Sequence, residues 1–212
     1  MTEILKKYSL LKHLNVSRET FLDFEKLITM IIDKNKEINI ISKESSNNHA
    51  IRDRHIIDSA QIVDFITFNE NTTTDLGSGG GFPGIIIAIM LKHMEKKVKV
   101  NLYEKSHHKS VFLRDVSRKL NLDTEVIQKD IFGITELKTG TIVARAFKPL
   151  PVVLELVYKN FSSYNNLILF MGKTGKETLE ETLKDWDLDF EKSKSITSED
   201  SFLLNIKKIN KK

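Results

Sequence analysis

The strongest restriction on the fold is a glycine-rich turn that reads Asp75-Leu76-Gly77-Ser78-Gly79-Gly80-Gly81-Phe82-Pro83-Gly84. It follows a β-prone run and precedes an apolar segment of helical character. Glycine adopts left-handed backbone conformations and lets the main chain approach a ligand closely. Pro83 suits the first turn of a helix, where its missing N–H does no harm. The segment therefore predicts a strand, a ligand-binding turn and a helix in immediate succession.

From residue 72 onward, short β-prone runs alternate with helical segments. The runs are 72–76, 98–103, 124–128, 141–144 and 166–171, and the helical segments between them are 83–93, 107–121 and 149–160. Strand, helix and strand in repetition predict parallel pairing through right-handed crossovers. Two last runs, 187–194 and 202–208, are joined by a polar loop and predict an antiparallel hairpin. We therefore expect a Rossmann-like α/β fold with a seven-stranded, mostly parallel sheet and a C-terminal antiparallel hairpin.

The first third of the chain has helical periodicity instead. After Ser17, a suitable N-cap, apolar residues recur at helical spacing, and a second helix is predicted from about residue 48 to 65. We expect residues 1–66 to form an N-terminal helical extension packed on a core of residues 67–212, with the two forming one compact unit.

Composition excludes several classes of protein. The chain has no cysteine, so disulfides, thiolate zinc sites and cysteine nucleophiles are excluded. The longest apolar run, residues 84–91, is too short to cross a bilayer. The net charge of +4 does not by itself indicate a nucleic-acid partner. We expect a cytoplasmic monomer without a bound metal or a membrane partner.

The glycine turn is compatible with two cofactors. Gly79, Gly81 and Gly84 satisfy the G-x-G-x-x-G pattern of dinucleotide-binding proteins, which leaves a nicotinamide-dependent oxidoreductase as an alternative. However, an acidic residue at the strand end, Asp75, disfavours a pyrophosphate and suits a ligand with an ammonium and a sulfonium. Read from Asp75, Asp-x-Gly-x-Gly-x-Gly is the motif of the S-adenosylmethionine fold. The chain is therefore predicted to be a class I S-adenosylmethionine-dependent methyltransferase, and a methyltransferase fold without activity is a second alternative.

Two further strand ends suggest contacts with this cofactor. Glu104 follows the second predicted strand, where a carboxylate can accept both ribose hydroxyls. After the third strand, Ile131 and Phe132 can bracket the adenine with apolar side chains and backbone N–H groups.

The end of the fourth strand carries Arg145, between Ala144 and Ala146. The Asp/Asn-Pro-Pro-aromatic motif of enzymes that methylate base amines is absent there, and cytosine C5 methylation requires a cysteine. An acceptor that is already nucleophilic, such as guanine N7, needs positioning and little proton transfer. Arg145 is the one candidate catalytic residue: it either orients the base or a phosphate, or pairs with Asp75 or Asp130.

Three stretches together resemble the RsmG (GidB) family of bacterial 16S rRNA guanine-N7 methyltransferases over essentially the whole chain. They are residues 35–42 (Asn-Lys-Glu-Ile-Asn-Ile-Ile-Ser), residues 54–59 (Arg-His-Ile-Ile-Asp-Ser) and the glycine turn, followed downstream by Ala144-Arg145-Ala146. The resemblance implies methylation of the guanine numbered 527 in 16S rRNA. It also implies cofactor contacts at Gly77, Phe82, Ile131-Phe132 and Arg145, to which the motif reading adds Gly79 and Glu104. Lys34 departs from the family pattern, which has tryptophan there.

The same resemblance implies 16S rRNA, naked or in the assembled 30S subunit, as the partner. Arg54 and His55 belong to the family-like stretch 54–59, Arg52 lies just before it, and Lys173 lies after the fifth strand, so these four are the predicted RNA-binding residues. Asp58 has the alternative role of pairing with one of the first three. A further basic set is either an RNA-facing stripe or a solvated helix face, and it comprises Lys105, Lys109, Arg114, Arg118 and Lys119.

Overall fold

The structure is a computed structural model that describes residues 3–14 and 16–212. Its strands are β1 (Thr72–Leu76), β2 (Lys99–Tyr103), β3 (Thr124–Ile127), β4 (Leu137–Lys138), β5 (Thr141–Ala144), β6 (Phe161–Ser163), β7 (Asn166–Met171), β8 (Trp186–Lys194) and β9 (Phe202–Lys211). Seven of them form one sheet in the order β3-β2-β1-β5-β7-β9-β8, and β4 pairs with β6 in a small separate sheet.

Pairing within the large sheet follows the sequence prediction. β3, β2, β1, β5 and β7 are parallel, whereas β9 runs antiparallel to both β7 and β8. The mostly parallel seven-stranded sheet with its C-terminal hairpin is therefore confirmed. The chain winds outward from β1 to β3 and then returns to β5 on the other side of β1. This reversal between β1 and β5 is a topological switch point, where open α/β sheets bind ligands.

The helices are α1 (Glu3–Lys7), α2 (Arg18–Asn35), α3 (Asn48–Ile51), α4 (Asp58–Ala60), α5 (Gly84–His93), α6 (His107–Lys119), α7 (Leu150–Asn160) and α8 (Gly175–Thr182). Ser17 caps α2 as predicted, because its hydroxyl accepts from the Thr20 N–H. No helix in the described ranges is long and apolar enough to cross a membrane.

Two hydrophobic clusters cover the two faces of the sheet. Successive strand residues alternate between them: Val143 belongs to one cluster, and its neighbours Ile142 and Ala144 belong to the other. The first cluster contains residues of α2, α5 and α6. The second contains residues of α7 and Leu179 of α8. The helices before residue 66 therefore share their core with the helices that follow β1 and β2.

One predicted helix has the expected location but an irregular form, and one helix was not predicted. The helix expected over residues 48–65 is broken into α3, a π-helical turn (Arg52–Ile57), α4 and a 3-10 turn (Val63–Phe65). A π-turn widens the helix and is frequent at functional sites. In addition, no helix was predicted where α8 lies, since its first residues, Gly175 and Lys176, give no helical signal.

Candidate active site

The glycine turn leads from β1 into α5 through left-handed backbone conformations. Gly77, Gly79 and Gly81 have φ angles of +68°, +54° and +95°. The turn is fixed to the neighbouring strand, because the Ser78 N–H donates to the Tyr103 carbonyl oxygen at 2.9 Å. A Cβ at Gly79 would meet nothing closer than 3.7 Å, so this glycine leaves open space above the turn. The loop therefore has the shape of a cradle.

Asp75 lies beneath this cradle and does not line it. Its side chain is fully buried, and Oδ2 accepts from the Gly84 N–H at 3.0 Å. A Cβ at position 84 would lie 2.5 Å from that oxygen, so glycine is required there. Oδ1 has no partner, and burial raises the pKa of Asp75 to about 7. This corrects our interpretation of Asp75 as a direct partner of a cationic ligand: its role is to hold the start of α5 under the turn.

Glu104 faces the cradle from the end of β2. One carboxylate oxygen accepts from the Gly79 N–H at 2.9 Å and the other from the Ser106 N–H at 2.7 Å. A carboxylate oxygen has two lone pairs, so each oxygen keeps one for a further donor. Glu104 is therefore both part of the turn's structure and a bidentate acceptor that remains available.

A cavity of about 460 Å³ lies over these groups, and we call it the cofactor cavity. Every residue predicted to contact the cofactor lines it: Gly77, Gly79, Phe82, Glu104, Ile131, Phe132 and Arg145. The fold brings these residues together from the ends of β1, β2, β3 and β5. Their contact with a cofactor itself stays a prediction.

At the β3 end, aromatic rings form one wall of the cofactor cavity. Ile131 is buried and Phe132 is exposed, and the Asp130 carboxylate accepts from the Phe132 N–H at 3.2 Å. The Phe132 ring stacks on Phe147 with 6.0 Å between centroids. Phe147 also covers Gly77, because a Cβ at that glycine would lie 2.3 Å from the Phe147 ring. Sequence reasoning missed Phe147, although an aromatic residue two positions after Arg145 was a usable signal.

At the β5 end, the guanidinium of Arg145 is held by three groups of one helical segment. Nε lies 3.1 Å from Asp58 Oδ2, one terminal nitrogen donates to the Arg54 carbonyl oxygen at 2.6 Å, and the other lies 3.1 Å from His55 Nδ1. The partners predicted from sequence, Asp75 and Asp130, were wrong. The reason is that the π-helical turn lies over the end of β5, a contact between residues some 90 positions apart that local spacing cannot indicate.

His55 has a defined tautomer because of this contact. A guanidinium only donates hydrogen bonds, so Nδ1 of His55 accepts and the proton is on Nε2. Burial lowers the pKa of His55 to about 4, and the positive charges of Arg145 and Arg54 add to this effect. The ring also stacks on Phe82, with centroids 4.9 Å apart. His55 is therefore a neutral wall of the cofactor cavity at physiological pH.

With this geometry in place, the comparisons with known proteins are decisive. A family model described as rRNA small subunit methyltransferase G (GidB) matches residues 21–204. The chain belongs to the rRNA small subunit methyltransferase G family. The ribosomal RNA small subunit methyltransferase G of Pelagibacter ubique is 64% identical over 212 residues, which is 100% of both chains. The protein of the same name from Bartonella henselae is 36% identical over 202 residues, 92% of this chain and 90% of its own.

Solved structures of low identity share the fold. A SAM-dependent methyltransferase from Aquifex aeolicus aligns with a TM-score of 0.55 at 13% identity, over 82% of this chain and 97% of that chain. A mutant of MtNAS in complex with S-adenosylmethionine aligns with a TM-score of 0.57 at 15% identity, over 88% of this chain and 75% of that chain. The predicted methyltransferase fold is therefore confirmed.

Within this methyltransferase G family member, the residues predicted to bind RNA lie in different environments. Arg52 is buried, and its guanidinium donates three hydrogen bonds of 2.8 to 3.0 Å to the Glu25 carboxylate. We therefore withdraw Arg52 as an RNA contact, because its charge is used inside the fold. Arg54 is exposed, and so is Lys173, which lies in the turn between β7 and α8. These two and His55 stay predictions.

The basic set on and just before α6 divides into three parts, of which one is Arg114, whose guanidinium donates to the Val126 carbonyl oxygen at 3.5 Å. Arg118 and Lys119 pair with Asp115 on the same helix, as expected for a solvated helix face. Lys105 and Lys109 instead line the cofactor cavity, together with Lys129 and Lys148 from other strand ends. The rim of the cofactor cavity is therefore positively charged, a property that suits an approaching phosphate backbone. Within residues 3–14 and 16–212, no three His, Asp or Glu side chains are grouped as metal ligands.

Proposed function

We propose that this protein transfers the methyl group of S-adenosylmethionine to N7 of guanine 527 in the 16S rRNA of the small ribosomal subunit. The observation that carries the proposal is the cofactor cavity of a methyltransferase G family member, which combines a glycine cradle, a bidentate carboxylate and a half-buried arginine. The Pelagibacter and Bartonella relatives are named as methyltransferases of small-subunit ribosomal RNA. We further propose that it acts as a monomer in the bacterial cytoplasm.

The residues of the cofactor cavity fit S-adenosylmethionine in shape and in chemistry. The open space above Gly79 would accept the cofactor, and the free lone pairs of Glu104 would accept its ribose hydroxyls. Ile131 and Phe132 would enclose the adenine, and Arg145 and the glycine turn would border the methionine end. When bound, S-adenosylmethionine supplies an electrophilic methyl group on a sulfonium.

The protonation states in the cavity favour an acceptor that carries no proton. His55 is no general base, because Nδ1 accepts from Arg145 and Nε2 already holds a proton. Arg145 is a permanent donor, since a guanidinium does not lose its proton in proteins. Guanine N7 has a free lone pair at neutral pH and needs only alignment with the methyl group. The chain's own contribution is therefore to position the base and exclude water.

A methyl-transfer assay tests this proposal. The protein and labelled S-adenosylmethionine are incubated with unmodified 30S subunits and, separately, with naked 16S rRNA. N7-methylguanine is then mapped by reduction and strand cleavage. We expect label at a single guanine in the decoding region.

Two glycine variants serve as a matched pair in this assay. Gly77→Asp adds a side chain where φ is +68° and the Phe147 ring lies 2.3 Å from the new Cβ, so label and cofactor binding should both disappear. Gly133→Asp, at a position with open space around it, should behave as wild type. Cofactor binding with no methylated guanine in either substrate would refute the proposed acceptor. If the wild-type protein does not bind S-adenosylmethionine, the proposal is refuted altogether and the dinucleotide alternative is favoured.

A further inference from the structure

A second cavity, of about 320 Å³, lies beside the cofactor cavity. It opens at the ends of β5 and β7 and at the start of β9, and Arg145 and Ala146 line both cavities. We call this pair of residues the shared wall of the two cavities. Ala146 has a φ of +50°, a left-handed conformation that is unfavourable for a residue with a Cβ. Backbone strain of this kind is concentrated at functional sites, so the strain at Ala146 indicates that this wall has a functional role.

The order of the strand ends shows where the second cavity lies relative to the proposed cofactor position. Along the sheet, β3 carries Ile131 and Phe132, β2 carries Glu104, β1 carries the glycine turn, and β5 carries Arg145. If adenine and ribose lie over the first two strand ends, as in the proposed function, the methionine end lies towards β5. The second cavity is the next space in the same direction. We propose that it holds the acceptor purine, unstacked from the RNA, and this inference rests on the proposed function.

The walls of the second cavity suit a single flat base. Phe170, Met171 and Phe202 give it an apolar side, and Ser195 and Ser201 give it hydroxyl groups. Phe170 is half-buried, so part of its ring is free for stacking, and the Arg145 guanidinium lies 6.0 Å from the ring centroid. Proteins hold unstacked RNA bases by stacking them on aromatic side chains. The volume is at the lower end for small-molecule sites, so it fits one base and not a whole dinucleotide.

Arg145 supplies the means to select guanine. A guanidinium has five N–H groups. Three of them are directed at Asp58, His55 and Arg54, which leaves two N–H groups free. Guanine presents an O6 acceptor next to N7, whereas adenine presents an amino donor there. A free N–H of Arg145 therefore matches guanine and opposes adenine. Asp58, which also lines the second cavity, holds the guanidinium in place, since its second oxygen is itself fixed by hydrogen bonds from Thr197 at 2.7 Å and Gln61 at 2.8 Å.

Substitution of Phe170 separates acceptor binding from cofactor binding. We expect Phe170→Leu to lower kcat/KM for 30S subunits about 10-fold or more, in line with the loss of one base–aromatic stack. The dissociation constant for S-adenosylmethionine, measured by calorimetry, should change less than twofold. Phe68→Leu is the matched control, because Phe68 is an exposed phenylalanine that lines neither cavity. A Phe170→Leu protein with wild-type kcat/KM would overturn the inference, as would one that loses cofactor affinity to the same extent as turnover.

Photo-crosslinking tests the same inference without relying on turnover. A photoreactive phenylalanine analogue is placed at position 170 or at position 68, and each protein is irradiated with unmodified 30S subunits and S-adenosylhomocysteine. Reverse-transcription stops then identify the crosslinked nucleotide. We expect a stop at the guanine that the wild-type protein methylates, from position 170 only. Methylation by the wild type together with crosslinks elsewhere would overturn the inference and leave the proposed function standing. A crosslinked purine without N7 methylation would support the cavity and refute the proposed function.

Discussion

The buried carboxyl of Asp75 makes a quantitative prediction about stability. Burial raises its pKa from an ordinary 3.8 to about 7 in the folded protein. The folded state therefore holds a proton on this group between those pH values, and the unfolded state does not. Because the folded pKa is the higher one, stability is lost as pH rises through this window. The difference of about three pKa units corresponds to about 4 kcal/mol in total.

Asp75→Asn should abolish this pH dependence. The Asn carbonyl oxygen can still accept from the Gly84 N–H, and the amide has no charge to ionise. About half of the total, roughly 2 kcal/mol, falls between pH 5.5 and 8.5. Unfolding in urea, without cofactor, is measured for both proteins at intervals across this range. We expect wild type to lose about 2 kcal/mol relative to the variant as pH rises, whatever the constant offset between them.

Asp115→Asn is the matched control for this experiment. Asp115 lies on α6, and its hydrogen bond from Lys119 holds the pKa of the carboxyl below its ordinary value. It therefore remains ionised in both states above pH 5.5, and the gap between this variant and wild type should be constant. A constant gap for Asp75→Asn as well would refute the reasoning, because it would mean that the buried carboxyl has the same pKa in the folded and unfolded states.

Two substitutions and one titration also have expected outcomes. Glu104→Gln should weaken S-adenosylmethionine binding at least about tenfold by calorimetry, because one oxygen that accepts hydrogen bonds becomes a donor; unchanged affinity would remove Glu104 from the cofactor site. Glu25→Ala should cost about 3 kcal/mol in urea unfolding, since it leaves the buried Arg52 guanidinium unpaired; a loss below about 1 kcal/mol would show that water replaces the carboxylate. The His55 ring should show no titration above pH 5 by NMR, given a pKa of about 4, whereas a midpoint near 6.5 would mean that it is exposed to solvent.

Features that depend on short stretches of sequence could be predicted. The strands of the large sheet and the ends that carry Gly77, Glu104, Ile131 and Arg145 follow from runs of four to eight residues next to characteristic turns. Parallel strands place their carboxyl ends at one edge of the sheet, so residues at those ends meet whatever the intervening sequence is. The cofactor cavity is the direct result of this rule.

Features that depend on contacts between distant segments could not be predicted. Local spacing suggested Asp75 as a ligand contact, but its burial under Gly84 depends on how tightly α5 packs on β1. Arg52 lies in a basic stretch that suggested an RNA contact. Its ion pair with Glu25 depends on the packing of α2, which local sequence does not indicate. Phe170 lies near the end of β7 and gave no signal at all, because its importance derives from the second cavity beside it.

The predicted boundary at residue 66 separates segments that act together, and we infer that the helical extension is part of the active site. Asn35 accepts hydrogen bonds from the N–H groups of Ile40 and Ile41 at 2.7 and 3.0 Å, and this folds the chain into a tight loop. That loop lies on the glycine turn, where a Cβ at Gly80 would come within 3.1 to 3.3 Å of it. The extension also holds Arg145, because its guanidinium makes polar contacts with Arg54, His55 and Asp58. The extension therefore presses on the cradle at one point and orients the shared wall of both cavities at another, so the site exists only when both parts of the chain are folded.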